Sequence, residues 1–405
     1  MIQFLQFTEE NRRQLIAQVS TITDGMRVQA IEKDWWVTLV LKALFSLPMR
    51  EHFIFKGGTS LSKGWQLIDR FSEDIDIALS PKAFGREYRP APSHSYVKTL
   101  KREGCTYTSS VIKDALHKSL IEMGVPSNMI TVEAEAVRDD MRDKDPQTLY
   151  VRFLSLYEPS GYIVEPVKIE FGVRALREPF STVKIQSILG RETLSPTYSE
   201  ESFEVPAVEP RKTFMEKMML LHEKYLLGIK PDAGERQSRH LYDLFSLSRK
   251  GIADQVLDDE ELYSALQTHR QHYVRLKGID YSTMHLTGLA FIPPFELLEQ
   301  FRRDYEKMRP EMIFGDVPDF DTMLSGLREL NLLLIAKKQK RTVDDIIAKA
   351  IELIANQEGQ FLVSHVIYKV EAGQPLGPLN TAAQFRVEFI QEGTEYVVHR
   401  IIQIS

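Results

Sequence analysis

Cysteine is almost missing from this sequence: Cys105 is the single one in 405 residues. One thiol forms no intrachain disulfide and completes no cysteine metal cage. No run of eighteen apolar residues occurs, so no membrane-spanning helix is expected. The start, Met1-Ile2-Gln3-Phe4, lacks the basic-then-apolar pattern of a signal peptide. The ten histidines show no metal-ligand spacing and are expected to be structural or surface groups. No internal repeat is found. An excess of basic residues is also absent, since the formal net charge is -6. Indiscriminate coating of nucleic acid rests on phosphate neutralisation by Lys and Arg, so that class is disfavoured. A local basic groove stays open, because local charge decides a docking site. Together these absences point to a cytoplasmic protein.

What is present fits a folded, multi-domain chain. Hydrophobic residues make up 43% and charged residues 27%, enough for a core of normal size. The length suits two or three domains. Residues 9–46 read as two helices, the second carrying Ile31, Trp35, Leu39 and Leu41 near helical spacing. Trp35 and Trp36 are expected to pack in the core. Residues 53–56 read as a short strand, 60–70 as a helix capped by Thr59 or Ser60, and 74–79 as a half-buried strand. The stretch 81–107, with Pro81, Gly85, Pro90, Pro92 and Gly104, reads as a surface loop or insertion. A helix is expected over 109–123. Strands are expected at Leu149–Tyr157 and Tyr162–Val173, with Pro159-Ser160-Gly161 as a hairpin signal between them. Composition changes near residue 205. Helices are then predicted at 212–227, 236–249, 259–273, 294–308 and 319–336, punctuated at Gly228–Gly234 and Pro293-Pro294. After the basic break at 337–341, a helix at 343–356 and strands near 361–370, 384–391 and 395–404 form a small module. The expected fold class is α/β (α+β). A mixed-sheet lobe spans 1–200, a helical lobe 201–338, and an α+β tail 339–405.

One segment carries the chemistry. It reads Lys56-Gly57-Gly58-Thr59-Ser60-Leu61-Ser62-Lys63, then Arg70-Phe71-Ser72-Glu73-Asp74-Ile75-Asp76-Ile77. A glycine pair between a strand and a helix lets a phosphate approach the backbone closely, and the helix start offers unpaired N–H groups to it. Thr59 and Ser60 add hydroxyls. Lys63 stands on the following helix, either toward a phosphate or merely exposed. Asp74 and Asp76 are two apart on a strand, so both carboxylates leave one face. Two like charges so placed need a shared cation, a proton or strong donors to stay ionised. Magnesium takes hard oxygen ligands, commonly one or two carboxylates plus substrate phosphates. Alone, Gly-Gly is usually a turn and Asp-x-Asp a solvated edge. Their conjunction in one strand–loop–helix–strand unit is far more specific. Glu170, in Val167-Lys168-Ile169-Glu170-Phe171, supplies a third carboxylate as metal ligand or general base, unless it simply pairs with Lys168 on an exposed face.

The Gly-Gly…Asp-x-Asp…Glu pattern resembles the polymerase-β-like nucleotidyltransferase superfamily, and the longer motif resembles its AbiEii/MenT branch of toxin–antitoxin and abortive-infection toxins. The likeness takes in Glu32-Lys33-Asp34-Trp35-Trp36-Val37, Lys212–Lys217, Arg239-His240-Leu241-Tyr242-Asp243-Leu244, and Asp304-Tyr305-Glu306-Lys307-Met308 with Phe320. It covers about residues 28–336; the tail matches nothing in the branch. The fifteen residues between Gly58 and Asp74 exceed the superfamily's usual gap but suit this branch. The resemblance implies a polymerase-β-like lobe that transfers a nucleoside monophosphate from a nucleoside triphosphate, with magnesium or manganese, to a hydroxyl. It implies the 3′ end of tRNA as acceptor, blocked translation as the toxic outcome, and a cognate antitoxin. Asp74, Asp76 and Glu170 would hold metal; Lys56, Gly57, Gly58, Thr59, Ser60 and Lys63 would hold nucleotide.

Two helical positions fit on physical grounds. Lys217 shares an apolar stripe with Phe214, Met218 and Leu221, so it must snorkel or meet an anion. The branch uses a lysine of this motif for the phosphates, which implicates Lys217, with Lys212 in reserve. Arg236, Arg239, His240 and Asp243 line one helix face, suited to an acceptor cleft; the other reading is a solvated face with an Arg239–Asp243 pair. The branch places a catalytic-site aspartate in this context, which implicates Asp243. Other readings are an enzyme acting on a small molecule or a protein hydroxyl, a fold that has lost catalysis, and a tail that docks a partner.

Overall fold

The computed structural model describes residues 1–23, 25–137, 143–158, 163, 166–228, 236–339, 360–362, 365–371, 384–392 and 395–403. The chain divides into two compact units. Unit 1 is Met1–Thr213 with His272–Val274 and Arg309–Val317, and unit 2 is Phe214–Gln271, Arg275–Met308 and Pro318–Ser405. The fold class is α/β, as the sequence indicates.

Unit 1 is built on a seven-stranded mixed sheet. Its strands are β1 (Phe53–Lys56), β2 (Ile75–Leu79), β3 (Ile130–Ala134), β4 (Gln147–Phe153), β5 (Val167–Gly172), β6 (Phe180–Ile185) and β7 (Phe203–Val208), in spatial order β3-β4-β5-β2-β1-β7-β6. β1 pairs antiparallel with β2 and parallel with β7, while β2 pairs parallel with β5. Central strands are apolar on alternate positions or throughout: Phe53, Ile54, Phe55, Ile75, Ile77, Ile169 and Phe171 are all buried. The helix Val28–Leu44 is buried along nearly its whole length, including Trp35 and Trp36, whose rings meet edge to face at 5.0 Å. Trp35 donates its indole N–H to Tyr198, and both tryptophans are buried core residues.

Two expectations for this unit are corrected. The stretch 81–107 is not all loop: Ser93 caps a helix at His94–Tyr107 by accepting from the Tyr96 amide, and the helical run continues to Glu122. The prolines all precede that cap. Gly104 lies inside the helix because a Cβ there would come within 2.3 Å of Val173, so it is a packing glycine and no breaker. The helix after the glycines is also shorter than 60–70. It runs from Gly57 through Gly64, then Gln66 takes φ 53° and Leu67 bonds back to the Leu61 carbonyl, which ends it. The hairpin signal at 159–161, the segment 229–234 and the predicted helix at 343–356 lie outside the described residues.

Unit 2 holds the helices Ser238–Arg249, Glu260–His269, Leu298–Met312 in part, and Phe320–Gln339, close to the predicted spans. The boundary between units falls inside the helix Pro210–Leu227. Asp304 caps the Ser238–Arg249 helix, accepting from the Arg236 and Ser238 amides at 2.6 and 2.8 Å. The tail is a four-stranded antiparallel sheet of β8 (Gln360–Leu362), β9 (His365–Glu371), β10 (Gln384–Glu392) and β11 (Glu395–Gln403). It groups with the helices of unit 2: Asn331 exchanges two hydrogen bonds with the Ile401 backbone, and Arg400 joins buried Glu388 through two nitrogens. Among the described residues, no helix is long and apolar enough to cross a membrane.

Candidate active site

Strand register assembles the acidic centre. Asp76 on β2 is the register partner of Glu170 on parallel β5 and of Lys56 on antiparallel β1. Register partners share a face, and neighbouring strands lie about 4.8 Å apart. The apolar alternates Ile75, Ile77, Ile169 and Phe171 are all buried, which leaves the charged set together on the other face. Lys56 Nζ lies 3.8 Å from Asp76 Oδ1, and Lys168 Nζ lies 2.7 Å from Glu170 Oε1. Burial acts to lower the Lys168 pKa, but Glu170, then Asp74 and Asp76, outweigh it and hold it above the ordinary lysine value. All three carboxylates therefore act on one ammonium. The Lys168–Glu170 pair exists, yet it lies beside Asp76 and not on a remote exposed face.

The glycine turn touches this centre. Gly57 has φ 78°, and a Cβ added to it would stand 2.1 Å from Asp76 Oδ2. No side chain fits between turn and carboxylate. A Cβ on Gly58 would meet Arg70 Nη2 at 2.6 Å and Ser72 Oγ at 3.1 Å. The hydroxyls expected to face a phosphate serve the turn itself. Thr59 donates to the Asp74 carbonyl and shares a 2.8 Å hydrogen bond with Ser72, while Ser60 donates to the Gly57 carbonyl at 2.9 Å. Both are fully buried. Lys63 is neither exposed nor turned to solvent: its Nζ lies 2.5 Å from Asp34 Oδ1 with both side chains buried. Its length and burial direct it into the core, where the aspartate compensates the charge.

Unit 2 brings together two further expected residues. Lys217 Nζ lies 2.8 Å from Asp243 Oδ2, and Asp243 is wholly buried. Lys217 also stands 3.4 Å from His240 Nδ1. Its stripe mates Phe214, Met218 and Leu221 are completely buried, so the lysine does not snorkel to water but meets an anion inside the protein. The face at Asp243 is not solvated. Arg236, Arg239 and His240 are partly exposed on or next to the same helix, and Arg236 has φ 61°. Lys212, the reserve, is fully buried.

Comparison with known proteins decides the family. Residues 39–326 match the family model described as Nucleotidyl transferase AbiEii toxin, Type IV TA system. The chain belongs to the AbiEii family. No curated protein matches it. Among solved structures, JHP933 from Helicobacter pylori is similar over 71% of this chain and 96% of that one, at 16% identity and a TM-score of 0.30. A second H. pylori structure, provisionally named a nucleotidyltransferase, is similar over 70% of this chain and 98% of its own, at 15% identity and a TM-score of 0.28.

Within this AbiEii chain, sequence reasoning missed the supports of the site. Lys33 Nζ joins Glu73 Oε2 at 2.6 Å, with both groups buried, directly before Asp74. Asp34 accepts from Lys63 and, through its other oxygen, from the Ile188 amide at 2.7 Å. Glu32 accepts from the Leu156 amide and the Ser155 hydroxyl; burial pushes its pKa up, and these two bonds oppose the rise. Three consecutive charges in an otherwise apolar helical stretch were the available signal. Arg70 and Ser72, against Gly58, were visible only as part of the motif.

Among the described residues, no three acidic, imidazole or thiol groups converge as a ready cage. The donor chemistry still fits a hard cation. Two carboxylates side by side, with a backbone cradle in contact with one of them, match a magnesium ion that completes its shell from phosphate oxygens and water.

Proposed function

We propose that this AbiEii nucleotidyltransferase is a metal-dependent toxin that transfers a nucleoside monophosphate from a nucleoside triphosphate to a hydroxyl, releasing pyrophosphate. One observation carries the reading: Gly57, held at positive φ, abuts the Asp76 carboxylate, which is in register with Glu170. The triphosphate lies along the backbone of Gly57 and Gly58, where the short helix begins. Lys56 offers a cation on the same face. Asp76, Glu170 and Asp74 would hold magnesium or manganese, which when bound offsets phosphate charge and aligns the attacking and leaving oxygens. The alternative role for Glu170 is that of general base toward the attacking hydroxyl. The family resemblance supports roles for Lys217 and Asp243 toward the nucleotide, and for Arg236, Arg239 and His240 toward the acceptor. The family resemblance supports the tRNA 3′ end as acceptor, blocked translation as consequence, and a cognate antitoxin as partner.

The test incubates the full chain with labelled triphosphates and magnesium, with either total tRNA or protein lysate. Label is expected on tRNA, and Asp76→Ala is expected to abolish it and to relieve growth arrest on expression. Label on protein alone would replace the tRNA reading. Unchanged toxicity of Asp76→Ala would remove the enzymatic one.

A further inference from the structure

A cavity of about 500 Å³ lies in unit 1, lined in part by Ser62 and Lys63 of the helical run that follows the glycine turn. It is large enough for a small ligand, since such sites run from about 300 to 1,000 Å³. Arg70 and Ser72 line it, and these are the two side chains that abut Gly58. The cavity and the phosphate cradle therefore share a wall. A molecule seated on both would have an anionic end at Gly57-Gly58 and a second end in the cavity.

The lining says what that second end is. Three cations line the cavity: Arg70 stands at the shared wall, Lys63 pairs with Asp34, and Arg191 pairs with Glu192 at 2.6 Å, while Asp69 and Asp316 add two further carboxylates. That disfavours a second phosphate and favours a neutral group. Gln66 and Gln186 supply amides, and Ile188 and Phe314 supply apolar surface. Gln186 is fixed in orientation because its Nε2 donates to the Glu200 carbonyl at 2.8 Å. Gln66 is a non-glycine residue in the left-handed region, at φ 53°. Such strain clusters at ligand clamps and active sites. Amide edges combined with apolar walls suit a planar, uncharged, hydrogen-bonding ring.

We propose that this cavity receives the base and sugar of the nucleoside triphosphate, so that Gln66 and Gln186 set the base preference of the enzyme. The inference rests on the nucleotidyltransferase reading and adds the location of the nucleoside. Equilibrium binding of the full chain to ATP, GTP, CTP, UTP and inorganic tripolyphosphate, each with magnesium, tests it. At least one triphosphate is expected to bind about tenfold or more tighter than tripolyphosphate. Ile188→Trp, which fills the cavity, and Gln66→Ala, which removes an amide, are each expected to lower that preference severalfold and leave tripolyphosphate affinity unchanged. Gln66→Ala keeps the test decisive if the larger residue disturbs folding. Equal binding of tripolyphosphate and every nucleotide by the native chain would overturn the cavity assignment. So would full nucleotide preference in Gln66→Ala together with a folded Ile188→Trp. Failure of the native chain to bind any of the five probes would overturn the nucleotidyltransferase reading itself, and the cavity assignment with it.

Discussion

Gly57 decides whether the acidic centre and the turn can coexist. Any Cβ at this position meets two penalties at once. The backbone sits at φ 78°, where a non-glycine L-residue pays about 1–2 kcal/mol. The Asp76 carboxylate stands where the methyl group would go. The carboxylate must then turn away, and a displacement near 1 Å at a reacting centre can cost about 10²-fold in rate. Gly57→Ala is expected to reduce transfer by about that factor while unfolding in urea shows a loss of only a few kcal/mol. A variant with native turnover would mean that Asp76 does not need its present position. This residue pair was readable in the sequence as a glycine before a helix and an acid on a strand. The contact was not, because it depends on Lys56 and Asp76 being register partners, and register is set by the buried alternates of both strands.

The helix Val28–Leu44 fastens the catalytic segment from two adjacent residues. Lys33 reaches Glu73, just before Asp74, and Asp34 reaches Lys63, at the end of the glycine-turn helix. Successive residues on a helix point about 100° apart, so one turn can hold two separate pieces of chain. Breaking one partner of a buried pair leaves a charge without compensation and typically costs 3–5 kcal/mol, whereas replacing both with apolar groups is often near neutral. Lys33→Met and Glu73→Leu are each expected to lower stability by about 3–5 kcal/mol, and the double variant to recover most of it, as read from urea midpoints. Additive losses in the double variant would show that the pair is not coupled. The element scale is also where sequence patterns served best and worst. Long helices and the apolar central strands announced themselves by periodicity. Strands β3, β6 and β7 did not: β6 exposes alternate residues such as Phe180 and Lys184, and Pro206 interrupts β7. The helix at His94–Tyr107 was hidden by Gly104, whose missing side chain makes room for Val173.

At the scale of the whole molecule, the two units carry different chemistry in their cores. Among the described residues unit 2 buries three histidines, His222, His269 and His399, and the first and last are held as neutral groups. His222 accepts the Ala290 amide on Nδ1, and His399 donates from Nε2 to the Pro293 carbonyl. Burial, aided by Arg400, takes His222 down to about 4. Burial likewise takes His399 to about 4, with Arg328 and Arg400 adding to the fall and the Pro293 bond opposing it. The folded values lie below the unfolded value of 6.5, so the unfolded chain binds protons first as pH falls. The stability from keeping these rings neutral is therefore present above pH 6.5 and is lost as pH falls from there toward 4. Each histidine steepens the loss by up to about 1.4 kcal/mol per pH unit inside that window. Urea midpoints for unit 2, followed between pH 7.5 and 4.5, are expected to hold steady above 6.5 and then drop. His222→Gln and His399→Gln should each flatten the drop, since the amide keeps a hydrogen-bonding group but does not titrate. A profile unchanged by both substitutions would mean that other groups govern acid sensitivity. The charge balance of the sequence could not foretell this, because it counts ten histidines alike and depends on neither burial nor neighbours. Only the packing of β11 against the Phe320–Gln339 helix, with Arg400 and Glu388 enclosed beside it, separates His399 from a surface imidazole.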